Sequence, residues 1–237
     1  MIRAAVFDLG NTLVAYYEKP EFAAILADGI RRARACVARE LGVTMPDEVI
    51  EQRVADENHE ATDFRVRPLA GRLARVFGLS ANALCPRIAD ALCRAWLEPT
   101  FEIGRPYNDS LDTLAELRSR GLTTGLVSNT PWGSPGGMWR EELARLGLMP
   151  LLDAVVFCTD VGWRKPDPRP FEACVDRLGV RPHEALFVGD HPRWDIEGAA
   201  AAGLRPVLID RAGSDADAIV DLGALVALIE AESRSSP

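Results

Sequence analysis

Two apolar runs in this chain stop on a carboxylate. AAVFDLGNTLV (residues 4–14) breaks at Asp8, and EALFVGDHPRWD (residues 184–195) breaks at Asp190, with Asp195 five residues on. One such aspartate is commonly a turn cap. Two at equivalent places repel unless a cation lies between them. Oxygen donors of this kind suit Mg²⁺, which takes one or two carboxylates and keeps waters; a backbone carbonyl in the Asp8 turn can add another oxygen. Lys165, in GWRKPDP, brings an ammonium that balances the carboxylates and holds an anion. Ser128, near the end of LTTGLVSN, can donate its hydroxyl to a phosphate oxygen, and Asn129 can brace the loop. Together these groups suit a tetrahedral dianion. Asp8 is then the nucleophile, forming an aspartyl-phosphate, with metal and lysine stabilising the equatorial charge as it develops.

Such a constellation needs elements that bring four distant segments to one edge. Short apolar runs at 2–7, 122–129, 154–158, 184–190 and 205–210 read as strands. Between the last four lie helical patterns at 136–147, 167–179 and 195–203. A helical pattern at 108–121 leads in, and one at 215–232 closes the chain before a frayed SRSSP tail. Strands alternating with helices predict an α/β fold, a Rossmann-like parallel sheet covered on both faces. Ligands of such sheets bind outside the carboxyl ends of the strands, where Asp8, Ser128, Lys165 and Asp190 fall. Residues 15–100 carry helical spacing and no strand signal, so they read as an inserted all-helical unit. The expected division is 1–14 with 101–237 as the core, and 15–100 as the insert.

Composition narrows the classes. The 237 residues are 48% apolar and 26% charged, ordinary for a globular protein, and no apolar run approaches the ~18 residues of a membrane span. Asp8 and Asn11 interrupt the first apolar stretch, which excludes a signal peptide there; the chain reads as cytoplasmic. A net charge of −8 argues against broad nucleic-acid binding. The five cysteines lack the spacing of a zinc site or a disulfide framework. Of 27 basic residues only Lys19 and Lys165 are lysine. Lys19 reads as chance, whereas Lys165 sits where a compact ammonium is wanted.

In motif order the chain resembles the haloacid dehalogenase superfamily, most of whose members are phosphatases. VFDLGNTL matches its first motif, GLVSNT the second, GWRKPDPRPF the third and LFVGDHPRWDIEGAAAAG the fourth. The resemblance runs from Ile2 to about Asp210 and implies a helical cap for the insert, closing over the substrate. It implies Asp8, Ser128, Lys165 and Asp190 as catalytic residues, and Mg²⁺ held by Asp8, the main-chain carbonyl of Gly10 and Asp190. Asp195 supports the metal or Lys165. Ser128, Asn129, Lys165, Gly10 and Asn11 bind phosphate. The expected substrate is a small phosphorylated metabolite, with no nucleic acid or membrane partner, handled by a monomer or homodimer.

The departure from the pattern is Gly10. Phosphatases of the family usually carry an aspartate there as general acid–base. Such help is worth roughly 10²–10⁴ in rate. Its loss limits turnover without abolishing it if the leaving group is a stable anion or another group donates the proton; Tyr16, Tyr17, Glu18 and His191 are candidates by position. Three readings follow: a Mg²⁺-dependent phosphatase; a carbon–halogen hydrolase, whose halide needs no proton but whose relatives manage without metal; or a non-catalytic phosphate-binding module. Keeping both Asp190 and Asp195 fits the second poorly, and intact Asp8, Ser128, Lys165 and Asp190 argue against the third. Around the site, Arg65 and Arg67 share one side of an extended segment and are candidates for a second anion, or simply solvated. Trp132 either walls the pocket or packs as a turn. Asp160 and Arg164 flank the lysine and can shape its loop.

Overall fold

The computed structural model describes residues 1–17, 19–58 and 62–235. The chain opens on β1 (Ala4–Phe7), turns at Asp8, and forms a two-residue strand β2 (Val14–Ala15). Helices α1 (Phe22–Leu41), α2 (Asp47–Glu57), α3 (Leu69–Val76) and α4 (Pro86–Ile103) follow. β3 (Arg105–Pro106) then returns antiparallel to β2, joining the entry and exit of the helical block side by side. After it come α5 (Ser110–Ser119), β4 (Thr123–Ser128), α6 (Gly136–Arg145), β5 (Ala154–Phe157), the single turn α7 (Cys158–Val161) and α8 (Arg169–Leu178). β6 (Ala185–Gly189), a π-turn (Pro192–Glu197) running into α9 (Gly198–Ala201), β7 (Arg205–Leu208) and α10 (Leu222–Ser235) complete the chain.

The main sheet has the order β5-β4-β1-β6-β7, and every pair in it is parallel. Strands buried on both faces need apolar side chains in both directions, which is why they read as unbroken apolar runs. Ala5 and Phe7 of β1 join Leu126, Val155 and Val188 on the face covered by α5, α6 and α10. Ala4 and Val6 join Val127, Val156 and Phe187 on the face covered by α8 and α9. Within the helical block α1 packs along α4, with Leu26, Ile30, Ala33 and Val37 facing Leu92, Trp96 and Leu97. The expected α/β fold is observed. β1 is central, flanked by β4 and β6, so the strand order reverses beside it; the carboxyl ends of these strands carry Asp8, Ser128 and Asp190 to one crevice.

Four local details differ from the expectation. Val14–Ala15 and Arg105–Pro106 are paired strands within or beside the stretch read as helical; two residues are too short to show a period. The last helix of the insert starts at Pro86 and runs to Ile103, three residues past the expected boundary at 100, with Pro86 in its first turn and Pro99 inside it. The turn into α9 begins at Pro192, three residues before the expected Asp195. The closing helix starts at Leu222 rather than 215. Asp210 takes the N–H groups of Ala212, Ser214 and Asp215 in a turn, and Asp109 accepts from Leu222 N at 2.9 Å. Residues 233–235 of the tail belong to that helix, and 236–237 lie outside the described residues.

Candidate functional site

Asp8 leaves the end of β1 with its N–H donated to Val188 O at 2.9 Å, which ties it to the adjacent strand β6. The turn behind it is tight: Leu13 and Val14 both donate to Leu9 O, and Asn11 sits at φ 58°. Asparagine tolerates that left-handed conformation better than most residues. Lys165 follows α7 and reaches back under the sheet edge. Its Nζ donates to Asp8 Oδ1 at 2.5 Å and to Asp195 Oδ1 at 2.6 Å, and its side chain is only 3% exposed. Asn129 clamps the lysine's backbone in both directions: Lys165 N donates to Asn129 Oδ1 at 2.9 Å, and Asn129 Nδ2 donates to Lys165 O at 3.1 Å.

The π-turn positions Asp195. Its N–H donates to His191 O, and its Oδ2 accepts from His191 N at 3.0 Å, so the carboxylate folds back over Gly189. A Cβ at Gly189 would lie 2.5 Å from Asp195 Oδ2; glycine is required there by close approach, not by φ. π-Turns of this kind recur at functional sites because they redirect one side chain out of the helical pattern.

Asp8, Asp190 and Asp195 each present an oxygen within 4.8 Å of the others. Three carboxylates therefore face one ammonium. Burial pushes the Asp8 carboxyl up, Lys165 pulls against it, and Asp195 adds repulsion, leaving it at about 6. Burial also pushes Asp190 up, Asp8 and Asp195 add to the push, and Lys165 and a hydrogen bond from the Asn11 side chain oppose it, leaving it at about 7. For Lys165 burial works against the charge, but Asp195 and Asp8 outweigh it and hold the amine above its ordinary value. The donor set suits a hard divalent ion: buried oxygens, an excess of negative charge, and two carboxyls raised by burial and mutual repulsion. Both Asp195 oxygens are engaged, by Lys165 and His191 N, which makes Asp8 and Asp190 the better candidates to hold such an ion.

Asp8, Gly10, Asn11, Ser128, Asn129, Lys165, Asp190 and Asp195 all line one cavity of about 210 Å³. Sequence reasoning brought each of these residues to the sheet edge. Tyr16, Tyr17 and His191 line the same cavity; Glu18 lies outside the described residues. His191 Nδ1 accepts from Arg193 N and Trp194 N, and its ring stacks on Trp194 at 4.2 Å. The Tyr16 hydroxyl is buried without a hydrogen-bond partner. Burial above all raises the Tyr16 phenol well above its usual range and pushes Tyr17 up to about 12, so both stay protonated at neutral pH. Gly10 has room: a Cβ there would meet nothing closer than Tyr16 Cδ2 at 3.9 Å, and its φ is ordinary.

The flanking residues divide. Asp160 accepts from Phe157 N at 2.9 Å and pairs with Arg140, so it shapes the start of α7. Arg67 pairs with Asp63, and Arg65 lies over the Trp163 ring at 4.5 Å; neither lines the cavity. Trp132 stacks on Trp96, donates from Nε1 to Asn58 Oδ1 at 3.1 Å, and walls an adjoining cavity. Arg72 also lines that adjoining cavity and was missed. Its signal was readable: 69, 72, 73 and 76 form one helical face, and three of the four are apolar.

A family model described as haloacid dehalogenase-like hydrolase matches residues 2–203. A glyceraldehyde 3-phosphate phosphatase of Methanopyrus kandleri is 32% identical over 213 residues, covering 89% of this chain and 85% of that protein. A phosphoglycolate phosphatase of Rhodospirillum rubrum is 33% identical over 226 residues, covering 95% and 86%. Among solved structures, a 2-haloacid dehalogenase from Pseudomonas syringae pv. Tomato superposes with a TM-score of 0.68 at 26% identity, covering 100% of both chains. Among the described residues no helix is long and apolar enough to cross a membrane.

Proposed function

The chain belongs to the haloacid dehalogenase-like hydrolases, and we propose that it is a Mg²⁺-dependent phosphomonoester hydrolase of small phosphorylated metabolites. The single observation that carries this reading is the trio Asp8, Asp190 and Asp195 converging within 4.8 Å against one lysine. A phosphate dianion brought alone to three carboxylates would be repelled; with a divalent ion it is drawn in. Asp8, Asp190 and the Gly10 carbonyl would hold that ion. Bound there, Mg²⁺ would neutralise charge on the phosphoryl oxygens.

The chain's own groups supply the rest. Lys165 occupies Asp8 Oδ1, so attack on phosphorus falls to Oδ2. The Oδ2–P bond forms as the P–O bond to the leaving group breaks, and the departing oxygen takes its proton from solvent, since Gly10 offers none. Ser128 donates its hydroxyl to a phosphoryl oxygen. Asp195 keeps the ammonium aligned. Water then attacks phosphorus as the P–Oδ2 bond breaks, and its proton passes to solvent, which releases phosphate and restores the Asp8 carboxylate. The helical block, continuous with both ends of the β2–β3 pair, serves as the cap that limits water around the reacting bond.

The test is phosphate release from a panel of phosphomonoesters with Mg²⁺ and with chelator, run beside halide release from 2-haloacids. Phosphate release that needs Mg²⁺ is the expected result. Halide release indifferent to chelator would replace this reading with the dehalogenase one, for which the missing acid at Gly10 is the favourable observation.

The carboxyl shifts add a second test. Asp8 at about 6 and Asp190 at about 7 are both raised from an ordinary 3.8, so the folded chain holds more protons than the unfolded one in this window. Without a divalent ion, the contribution of these two carboxyls to stability is fully present below about pH 4 and is lost as pH rises through about 7. A cation competes with those protons. Mg²⁺ at about ten times its Kd contributes roughly 1.4 kcal/mol, or about 3–6 °C in Tm for a chain of this size. That shift is expected at pH 8 and should nearly vanish at pH 5. Equal shifts at both pH values in thermal melts would show that the ion binds elsewhere.

A further inference from the structure

Beside the catalytic cavity, and sharing Tyr17, Asn129, Pro131 and Trp194 with it, is a second cavity of about 370 Å³. Its walls are aromatic, from Tyr17, Phe22, Trp132 and Trp194, and its charge is positive, from Arg72 and Arg164. Among the described residues that line it there is no carboxylate. Arg72 is 5% exposed, inside the apolar face of α3. Its guanidinium donates from Nη1 to Glu57 O at 2.8 Å and lies 5.4 Å from the Trp132 ring centroid, but its Nε is buried with no partner. The Nε of Arg164 is buried and unpartnered in the same way.

Two arginines that line one cavity, each with a buried and unpartnered Nε, are costly. A buried donor left unsatisfied forfeits its hydration, and two like charges without an intervening anion oppose each other. Burial lowers the Arg72 pKa, Glu57 pulls the other way, and Arg164 adds repulsion. An oxyanion seated between the two guanidinium groups offsets that repulsion. Arg164 also directly precedes Lys165, whose backbone Asn129 fixes, so the second cavity is held in register with the phosphate end of the site.

We infer that Arg72 and Arg164 form an anion subsite that selects phosphomonoesters carrying a second oxyanion, a carboxylate or another phosphate, on the leaving-group side. This rests on the phosphatase reading for the position of the first phosphate. Arg72 comes from the helical block and Arg164 from the sheet domain's lysine loop, so a substrate with both anions also ties the two parts together. Aromatic walls suit a spacer with apolar faces, held by dispersion and by the arginine–ring contact.

The test is calorimetric binding of non-hydrolysable ligands to the intact protein with Mg²⁺. Alkylphosphonates are compared with ω-phosphonocarboxylates and bisphosphonates of the same chain length, about two to five methylenes. At the best length a second anion should tighten binding by about tenfold to a hundredfold, the scale of a charged hydrogen bond. That gain should fall below about threefold in both Arg72→Gln and Arg164→Gln, with Arg72→Lys recovering only part of it because an ammonium lacks the fork. Whichever of carboxylate or phosphonate gives the larger gain identifies the anion. Equal binding of all three classes, or a gain that survives both arginine substitutions, overturns the inference. Phosphate release from p-nitrophenyl phosphate, measured on the same preparation, separates that outcome from failure of the phosphatase reading itself.

Discussion

Asp8→Asn is expected to lower phosphate release by roughly 10⁴-fold or more, the scale on which loss of a covalent nucleophile acts. The amide keeps the shape of the carboxyl and can still accept from Lys165 Nζ through Oδ1, but it cannot form an acyl phosphate. The fold should survive. Lys165 retains Asp195 as a partner at 2.6 Å, and the charge removed is one that burial already opposes. Thermal melts and circular dichroism should therefore match the parent within a few degrees while the progress curve goes flat. Near-parental turnover by a well-folded Asp8→Asn protein would remove Asp8 from the chemistry and with it the covalent mechanism.

Gly10→Asp should act in the other direction. The new Cβ meets nothing nearer than 3.9 Å, and φ there is not in the left-handed region, so the backbone and Cβ admit the substitution without a clash. What it adds is a carboxyl in the cavity shared with Asp8 and Ser128. If that carboxyl protonates the leaving oxygen, alkyl phosphates should gain about 10²-fold, close to 3 kcal/mol of barrier. Aryl phosphates, whose leaving groups are stable anions, should gain less than about tenfold. Comparing kcat on a series of esters with graded leaving-group pKa measures this directly as a flattened dependence on that pKa. Equal gains across the series, or a loss on all of them, would mean that proton donation is not what the glycine lacks.

The sheet was legible because parallel strands covered on both faces must be apolar in both directions. VFDL, GLVS and LFVG could hardly be anything else once helical spacing filled the gaps between them. The site was legible for a related reason: the end of each strand is where polarity returns, and the residues there are the ones the crevice receives. What was hidden depends on contacts across long separations. β2 and β3 are two residues each and exist only because they meet. The π-turn at Pro192–Glu197 accompanies the bonds that Asp195 accepts from Lys165 and from His191 N, and the first of these spans 30 residues. The bracing role expected of Asn129 takes its form from residues 36 positions away: its side chain is bonded to the Lys165 backbone in both directions. Arg72 was passed over because one arginine in a chain rich in them draws no notice unless its place on the apolar face of α3 is checked.

The β2–β3 pairing bears on how the chain reaches this arrangement. Ala4 must find Thr123 on one side and Ala185 on the other, and partners so distant in the chain are slow to meet. Zipping Val14–Ala15 to Arg105–Pro106 turns the whole helical block into a closed loop with adjacent ends. The search by the first strand is then shortened by nearly the length of that loop, at a closure cost that grows only with the logarithm of its size. A block of different length or make-up, spliced between the same two pairs of residues, would leave the assembly route of the sheet almost unchanged.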